Sequence, residues 1–306
     1  MPIVLFILII SACKTTSDLE NLLPPSALAD SDSKFIEIDG ITVHYKETGD
    51  GNPEILMLHG LMANTGVWDY IVPQLSSNYR CIAYDRPAFG LTERPEVTEE
   101  NNPYSPEKAE TQTLEFISKL QMKNPVLLGH SAGGNLALRL AIKYPEKFSS
   151  LILISPGIYT EIPPPLIRQL MELGLFKKMS IEVIRSFPNQ IDRLLAGNYF
   201  NPELITSEMK ENYLQPSLLE NWDQALWEYL IAQDDSIIAE RLKEIELPVL
   251  IIQGREDEVV PPSDNKKAAG ILPNAELLFL ENCGHVAHEE QPDAVAAAVK
   301  AFISRP

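Results

Sequence analysis

The sequence predicts an α/β architecture: a mostly parallel central sheet with helices on both faces and an inserted helical cap. Three observations carry that expectation. Short apolar runs alternate with stretches of helical periodicity along most of the chain. The alternation breaks once, for about ninety residues of helical pattern, and then resumes. And the stretch "GHSAGGNLAL", residues 129–138, sets a serine between an apolar run and the start of a helix.

Taken in order, "FIEIDGITVHYKETG" reads as a hairpin turning at Asp39-Gly40. "EILMLHG" reads as a buried strand, and "CIAYDRPAFG" as another that ends in turn residues. Residues 104–122 have helical spacing. "NPVLLG", residues 124–129, is a short apolar run after a proline and reads as the strand before the serine. After it, Leu136, Leu138, Leu140, Ala141 and Tyr144 recur at helical spacing until Pro145 stops the run. "SLILISPG" is the next strand. Residues 158–246 are helical in pattern, with breakers at Pro163 to Pro165, Pro188, Pro202 and Pro216. The strand–helix rhythm returns with "LPVLIIQG", a helix near 262–271, "AELLFLEN" and a last helix over 293–303. The expected organisation is a core in two parts, 35–157 and 247–306, split by a cap at 158–246. Leu166, Leu170, Leu173 and Phe176 recur at roughly helical spacing in the cap, and are expected mostly to pack it onto itself and the core. Trp222 and Trp227, five positions apart on one helix, are expected to point in different directions.

The 306 residues carry a formal net charge of −18. Such a charge disfavours nucleic acid and anionic membrane surfaces as the main partner. No apolar run is long enough to span a bilayer. The N-terminus differs from the rest. An apolar run from Ile3 to Ile10 is followed by Ser11, Ala12 and Cys13. The run fits a signal-peptide core over 1–12, and Ile10-Ser11-Ala12-Cys13 resembles the lipobox of bacterial lipoproteins. That resemblance implies lipid attachment at Cys13, residues 13–34 as a flexible tether, and a membrane-anchored place in a bacterial cell envelope. It departs from the pattern upstream, where no Lys or Arg precedes the apolar core. The remaining cysteines, Cys81 and Cys283, are expected as free thiols. His285 and His288 are three apart, but with no third ligand nearby no metal site is expected.

In an open α/β sheet the ligand site lies at the C-terminal ends of the strands. Here those ends carry His59, Gly60 and Leu61 in "LHGLM", Asp85 in "YDRPAFG", Ser131 in the glycine-flanked turn, Asp257 in "IIQGREDEVV", and His285 and His288 in "ENCGHVAHEE". G-x-S-x-G between a strand and a helix is the setting of a nucleophile elbow, and the order Ser, Asp, His is that of the α/β-hydrolase triad. The chain resembles the capped α/β-hydrolases, which include carboxylesterases, haloalkane dehalogenases, epoxide hydrolases and carbon–carbon hydrolases. The resemblance covers about residues 35–305, and its motifs are specific as an ordered set. "G-x-x-D" in "GREDEVVPP" resembles the family's acid loop and implies Asp257 as the acid; "GH" in "CGHVAHEEQPD" resembles its histidine loop and implies His285 as the base. The backbone N–H groups of Leu61 and Ala132 are implied as the oxyanion hole. No cofactor is implied.

These roles suit the chemistry. A serine hydroxyl is a weak nucleophile and needs a base to take its proton, and the base needs an acid to fix its tautomer. Glu256 and Glu258 flank Asp257, but the spacing selects Asp257, and the alternative acid position after the sixth strand reads "SPG", without a carboxylate. His288 is expected to be structural, His44 to lie on a solvated strand, His59 to shape the oxyanion loop, His130 to fill the elbow, and Asp85 to hold its turn. A serine nucleophile speaks against dehalogenases and epoxide hydrolases, which attack with aspartate. Carbon–carbon hydrolases typically carry a more glycine-rich oxyanion loop than "HGLMANTG", and proline iminopeptidases a "GGS" elbow. The expectation is therefore hydrolysis of a small apolar carboxylic ester, lipids, lactones and thioesters included, through an acyl-enzyme on Ser131. The alternatives are a carbon–carbon bond hydrolase or perhydrolase-like enzyme, and a low-turnover ligand-binding receptor of the same fold.

Overall fold

The computed structural model describes residues 22–160, 163–234 and 236–305. The apolar run at 3–10 and Cys13 lie outside these residues.

Eight strands form one sheet: β1 (Lys34–Ile38), β2 (Ile41–Thr48), β3 (Glu54–Leu58), β4 (Arg80–Tyr84), β5 (Val126–His130), β6 (Ser150–Ile154), β7 (Val249–Gly254) and β8 (Ala275–Leu280). Their spatial order is β1-β2-β4-β3-β5-β6-β7-β8. The pairs β1–β2 and β2–β4 are antiparallel and the rest are parallel. The hairpin turns where expected, because Asp39 and Gly40 both adopt positive φ, as a two-residue turn of that type requires. Strands β5, β6 and β7 are buried along their whole length. Helices cover both faces there, and this is why these strands read as unbroken apolar runs.

The helices of the core are α1 (Val72–Leu75), α2 (Pro106–Lys119) and α3 (Ala132–Lys143). Between β6 and β7 the chain runs through α4 (Pro165–Met171), α5 (Gly174–Arg185), α6 (Ile191–Ala196), α7 (Ser207–Leu214), α8 (Trp222–Ala232) and α9 (Ser236–Arg241). The core resumes with α10 (Pro262–Ala269), α11 (Ala287–Glu290) and α12 (Pro292–Ile303). Alternate strand residues feed two apolar layers. Leu127 and Leu153 pack with Phe116 of α2 and Leu140 of α3, whereas Leu128 and Ile152 pack with Trp68 and with Val299 of α12. Ser105 caps α2 by accepting from the Lys108 N–H, and a buried ion pair, Arg139 Nε to Glu110 Oε1 at 2.7 Å, ties α2 to α3.

Three expectations need correction. His44 is not on a solvated edge. It is 2% exposed, its Nδ1–H donates to Asp85 Oδ2 at 2.7 Å and its Nε2 lies 2.9 Å from Ser33 Oγ. The antiparallel pair β1–β2 is folded against the turn after β4, so this strand faces protein on the side where solvent was expected. Second, the part of the expected tether that is described is laid down on the fold. Leu23 pairs with Leu218 and Glu220 through backbone bonds, Asp30 pairs with Lys46, and Leu22 packs against the cap's apolar cluster. Third, Leu166, Leu170, Leu173 and Phe176 do not pack the cap. All four are exposed, while Ile167, Met171, Ile181 and Ile184 turn inward on the same two helices.

Candidate active site

The elbow forms where β5 passes into α3. Ser131 sits at φ 50°, ψ −119°, a conformation that costs an L-residue about 1–3 kcal/mol. Its N–H donates to Ile154 O, and its carbonyl accepts from the Asn135 N–H, which fixes the turn from both sides. The glycines are there because backbone crowds the apex. A Cβ on Gly133 would lie 2.0 Å from Leu58 O, and one on Gly129 would lie 2.6 Å from Gly133 O. The side chain of Ser131 thus stands clear at the C-terminal edge of the sheet, half-buried.

Two loops from the far side of the sheet bring the other groups. The His285 Nδ1–H donates to Asp257 Oδ2 at 2.9 Å, which leaves Nε2 as the ring's acceptor. Asp257 also accepts from the N–H groups of Val259 and Val260 and from Gln253 Nε2. Burial pushes its carboxyl up, but His285 and these donors outweigh that and hold it below the usual carboxylate range. The neighbouring acid Glu256 has a different role: its Oε2 accepts from the Cys283 N–H and pins the histidine loop to the acid loop. Glu258 is exposed. The His285 ring lies 4.8 Å, centre to centre, from that of His130, the residue before the serine.

Ser131, Leu61 and Ala132 line one open-mouthed cavity of about 580 Å³, together with Asn135, Arg168, Tyr229 and Val260. Leu61 and Ala132 are the two residues expected to supply oxyanion donors. The loop holding Leu61 approaches closely, since a Cβ on Gly60 would meet Ser131 Cβ at 3.3 Å. A second, largely apolar cavity of about 480 Å³ lies on the other side of that loop, between Met62, Ala63 and Phe89 of the core and Phe187, Trp222 and Leu226 of the cap.

The remaining histidines are buried supports. His59 bridges Gly60 O and the Arg86 N–H, and burial pushes it down to about 3. His288 is fully buried between the rings of Trp68 and His130 and does not meet Asp257. Asp85 accepts from the N–H groups of Thr65 and Leu91, so it joins two loops as well as holding its own turn. Some positioning residues escaped sequence reasoning. Arg86, buried, donates to the carbonyls of His59 and Gly60 and so holds the loop that carries Leu61. Glu289 and Glu290 bind the cap segment 199–201 to the histidine loop. The doublet "EE" after "GHVAH" carries no signal of that, because its partners lie some ninety residues away.

Comparison with known proteins decides the family. A model described as alpha/beta hydrolase fold matches residues 53–292. The chain belongs to the α/β-hydrolase family. This hydrolase is 28% identical over 268 residues to the uncharacterized hydrolase YugF of Bacillus subtilis, covering 87% of this chain and 96% of that one. It is 27% identical to the 2-hydroxy-6-oxo-6-phenylhexa-2,4-dienoate hydrolase of Burkholderia cepacia, covering 86% and 93%. Other relatives at 24–27% identity bear names of the same dienoate class. Among solved structures, a putative lipase of Acinetobacter baumannii is 27% identical, with a TM-score of 0.71 over 89% of this hydrolase and 90% of that chain.

Proposed function

We propose that the protein is a serine hydrolase in which Ser131 attacks a carbonyl carbon, His285 takes and returns the proton, Asp257 holds the imidazole, and the N–H groups of Leu61 and Ala132 receive the oxyanion. The observation that carries this reading is the His285–Asp257 pair at 2.9 Å, on loops that meet beside a strained, glycine-flanked serine.

Within that chemistry we put carbon–carbon cleavage of a carboxylate-bearing ketone first. The dienoate hydrolases over most of the chain support it, and so does Arg168 on the wall of the serine cavity, a cation suited to a substrate carboxylate. In this reaction water is added across the acyl–carbon bond. Ser131 Oγ bonds to the carbonyl carbon, the departing carbon takes the electron pair and a proton, and water releases the acid from Ser131. A second reading, hydrolysis of a carboxylic ester, is favoured by the lipase-like neighbour and by the oxyanion loop "HGLMANTG", which is poor in glycine for a carbon–carbon hydrolase.

Turnover of 2-hydroxy-6-oxo-6-phenylhexa-2,4-dienoate and of a series of p-nitrophenyl esters, with Ser131→Ala as the blank, tests both. The first reading expects dienoate turnover whose KM rises in Arg168→Gln, with ester turnover little changed. Ester turnover alone overturns carbon–carbon cleavage and leaves the serine chemistry standing. No turnover of either class removes the enzyme and leaves a receptor. The lipid anchor at Cys13 is also a proposal, and a fatty-acid probe that fails to label the wild-type chain in a bacterium while Cys13→Ser behaves identically would sink it.

A further inference from the structure

Half of the exposed large apolar side chains among the described residues fall in one short stretch of the cap. Leu166 and Leu170 on α4, Leu173 between the helices, and Leu175, Phe176 and Met179 on α5 are all open to solvent, Leu166 at 68% and Leu175 at 72%. Scattered exposed leucines are ordinary, but a contiguous stripe on two successive helices calls for an occupant. The opposite faces of the same helices are the ones that pack, through Ile167, Met171, Ile181 and Ile184. The stretch is also basic on an acidic protein. Residues 163–180 hold Arg168, Lys177 and Lys178 against the single acid Glu172, whereas the whole chain is at −18; Arg168 lines the serine cavity and Lys177 lies over the Trp227 ring, 3.6 Å from Glu228, so Lys178 is the cation at the exposed face.

We infer that this helix pair is an interfacial docking surface that inserts its apolar stripe into a lipid bilayer, with Lys178 at the headgroup level. Apolar residues on one face with Lys and Arg beside them are the composition of a helix lying in a membrane interface. Two other occupants fit less well. A second copy of this chain would bring its own net charge of −18 against the first. The chain's own residues 1–12 are apolar but hold no acid to meet the lysines. Leu22 packs in the cap's apolar cluster and Leu23 pairs with the segment before α8. Because α4 carries Arg168 into the wall of the serine cavity, docking this pair would set the mouth of that cavity near the lipid. The inference stands whichever bond Ser131 cleaves.

The test is a solvent-sensitive fluorophore on the full-length chain. With Cys13→Ser the remaining native thiols are Cys81 and Cys283, both buried. One label goes on Leu175→Cys and a control label on Lys123→Cys, at the exposed turn before β5. Vesicles of phosphatidylcholine with a minority of phosphatidylglycerol are then added. The label at 175 should brighten severalfold, shift to the blue and become sensitive to a quencher in the acyl chains. The label at 123 should not, and Leu166→Ser with Phe176→Ser should abolish the response at 175. No response at 175, or equal responses at both sites, overturns the inference. So does a label at 175 that is already in apolar surroundings before vesicles are added, which would place the N-terminal segment or a second copy on the stripe.

Discussion

The imidazole of His285 meets the carboxylate of Asp257 at 2.9 Å, across two loops whose partners are 28 residues apart, while His288, three residues further on, lies between Trp68 and His130. Only one of two histidines in "GHVAH" therefore has an acid to fix its tautomer. His285→Ala and Asp257→Asn should each lower kcat by about 10⁴-fold or more, and His288→Ala far less. Steady-state kinetics on whichever substrate is turned over decides it. Equal losses at 285 and 288 would mean that the base is misassigned.

The strained backbone of Ser131 makes a stability prediction that is independent of substrate. Ser131→Ala keeps the Cβ and the strain, so its melting temperature should match the parent. Ser131→Gly removes the Cβ from a region that glycine tolerates and should be stabilised by about 1 kcal/mol, or roughly 2–4 °C. Calorimetry of the two variants side by side would show it, and equal melting points would mean that the turn is not strained.

His288 is held neutral, its buried ring nitrogens without a hydrogen-bond partner among the described residues, and burial pushes it down to about 3. In the unfolded chain it takes a proton near 6.5. The unfolded state thus binds the extra proton, and stability is lost as pH falls from 6.5 towards 3, by about 4 kcal/mol for this group at the end of the window. His288→Phe should keep stability at pH 7, since a phenyl ring forfeits no hydrogen bond there. It should also flatten the acid limb of the denaturation curve by one proton. A curve as steep as the parent's would contradict the neutral assignment.

Glu289 behaves in the opposite sense. Burial pushes its carboxyl up to about 7, although Tyr199 and Tyr213 donate to it. A carboxyl raised above its unfolded value of 4.5 stabilises the fold fully below that value and loses the contribution as pH rises towards 7. Its ionisation then costs about 3 kcal/mol at alkaline pH. Glu289→Gln keeps an acceptor for the two tyrosines and should melt higher than the parent at pH 8, the difference vanishing near pH 5. A constant difference across that range would show that the group does not titrate.

Much of the fold and of the site was legible in the amino-acid sequence because the signals were local. Short apolar runs marked strands and a period of about 3.6 marked helices, Asp39-Gly40 marked the hairpin, and glycines at 129 and 133 marked a turn too crowded for side chains. Motif order along the chain then brought Ser131, Asp257 and His285 forward as a set. What the sequence could not carry was any contact whose partners are far apart in it. His44 was expected on a solvated strand, and only the packing of the hairpin against the turn after β4 buries it on Asp85. Arg86 looked like a turn residue until the loop that carries Leu61 folded over it. The sharpest divide is in the cap. Helical spacing marked Leu166, Leu170, Leu173 and Phe176 as an apolar face. Periodicity reports only that a helix has two faces; which one meets the core depends on where the other elements stand, and here the tertiary structure turned Ile167, Met171, Ile181 and Ile184 inward and left the leucines and Phe176 in the open.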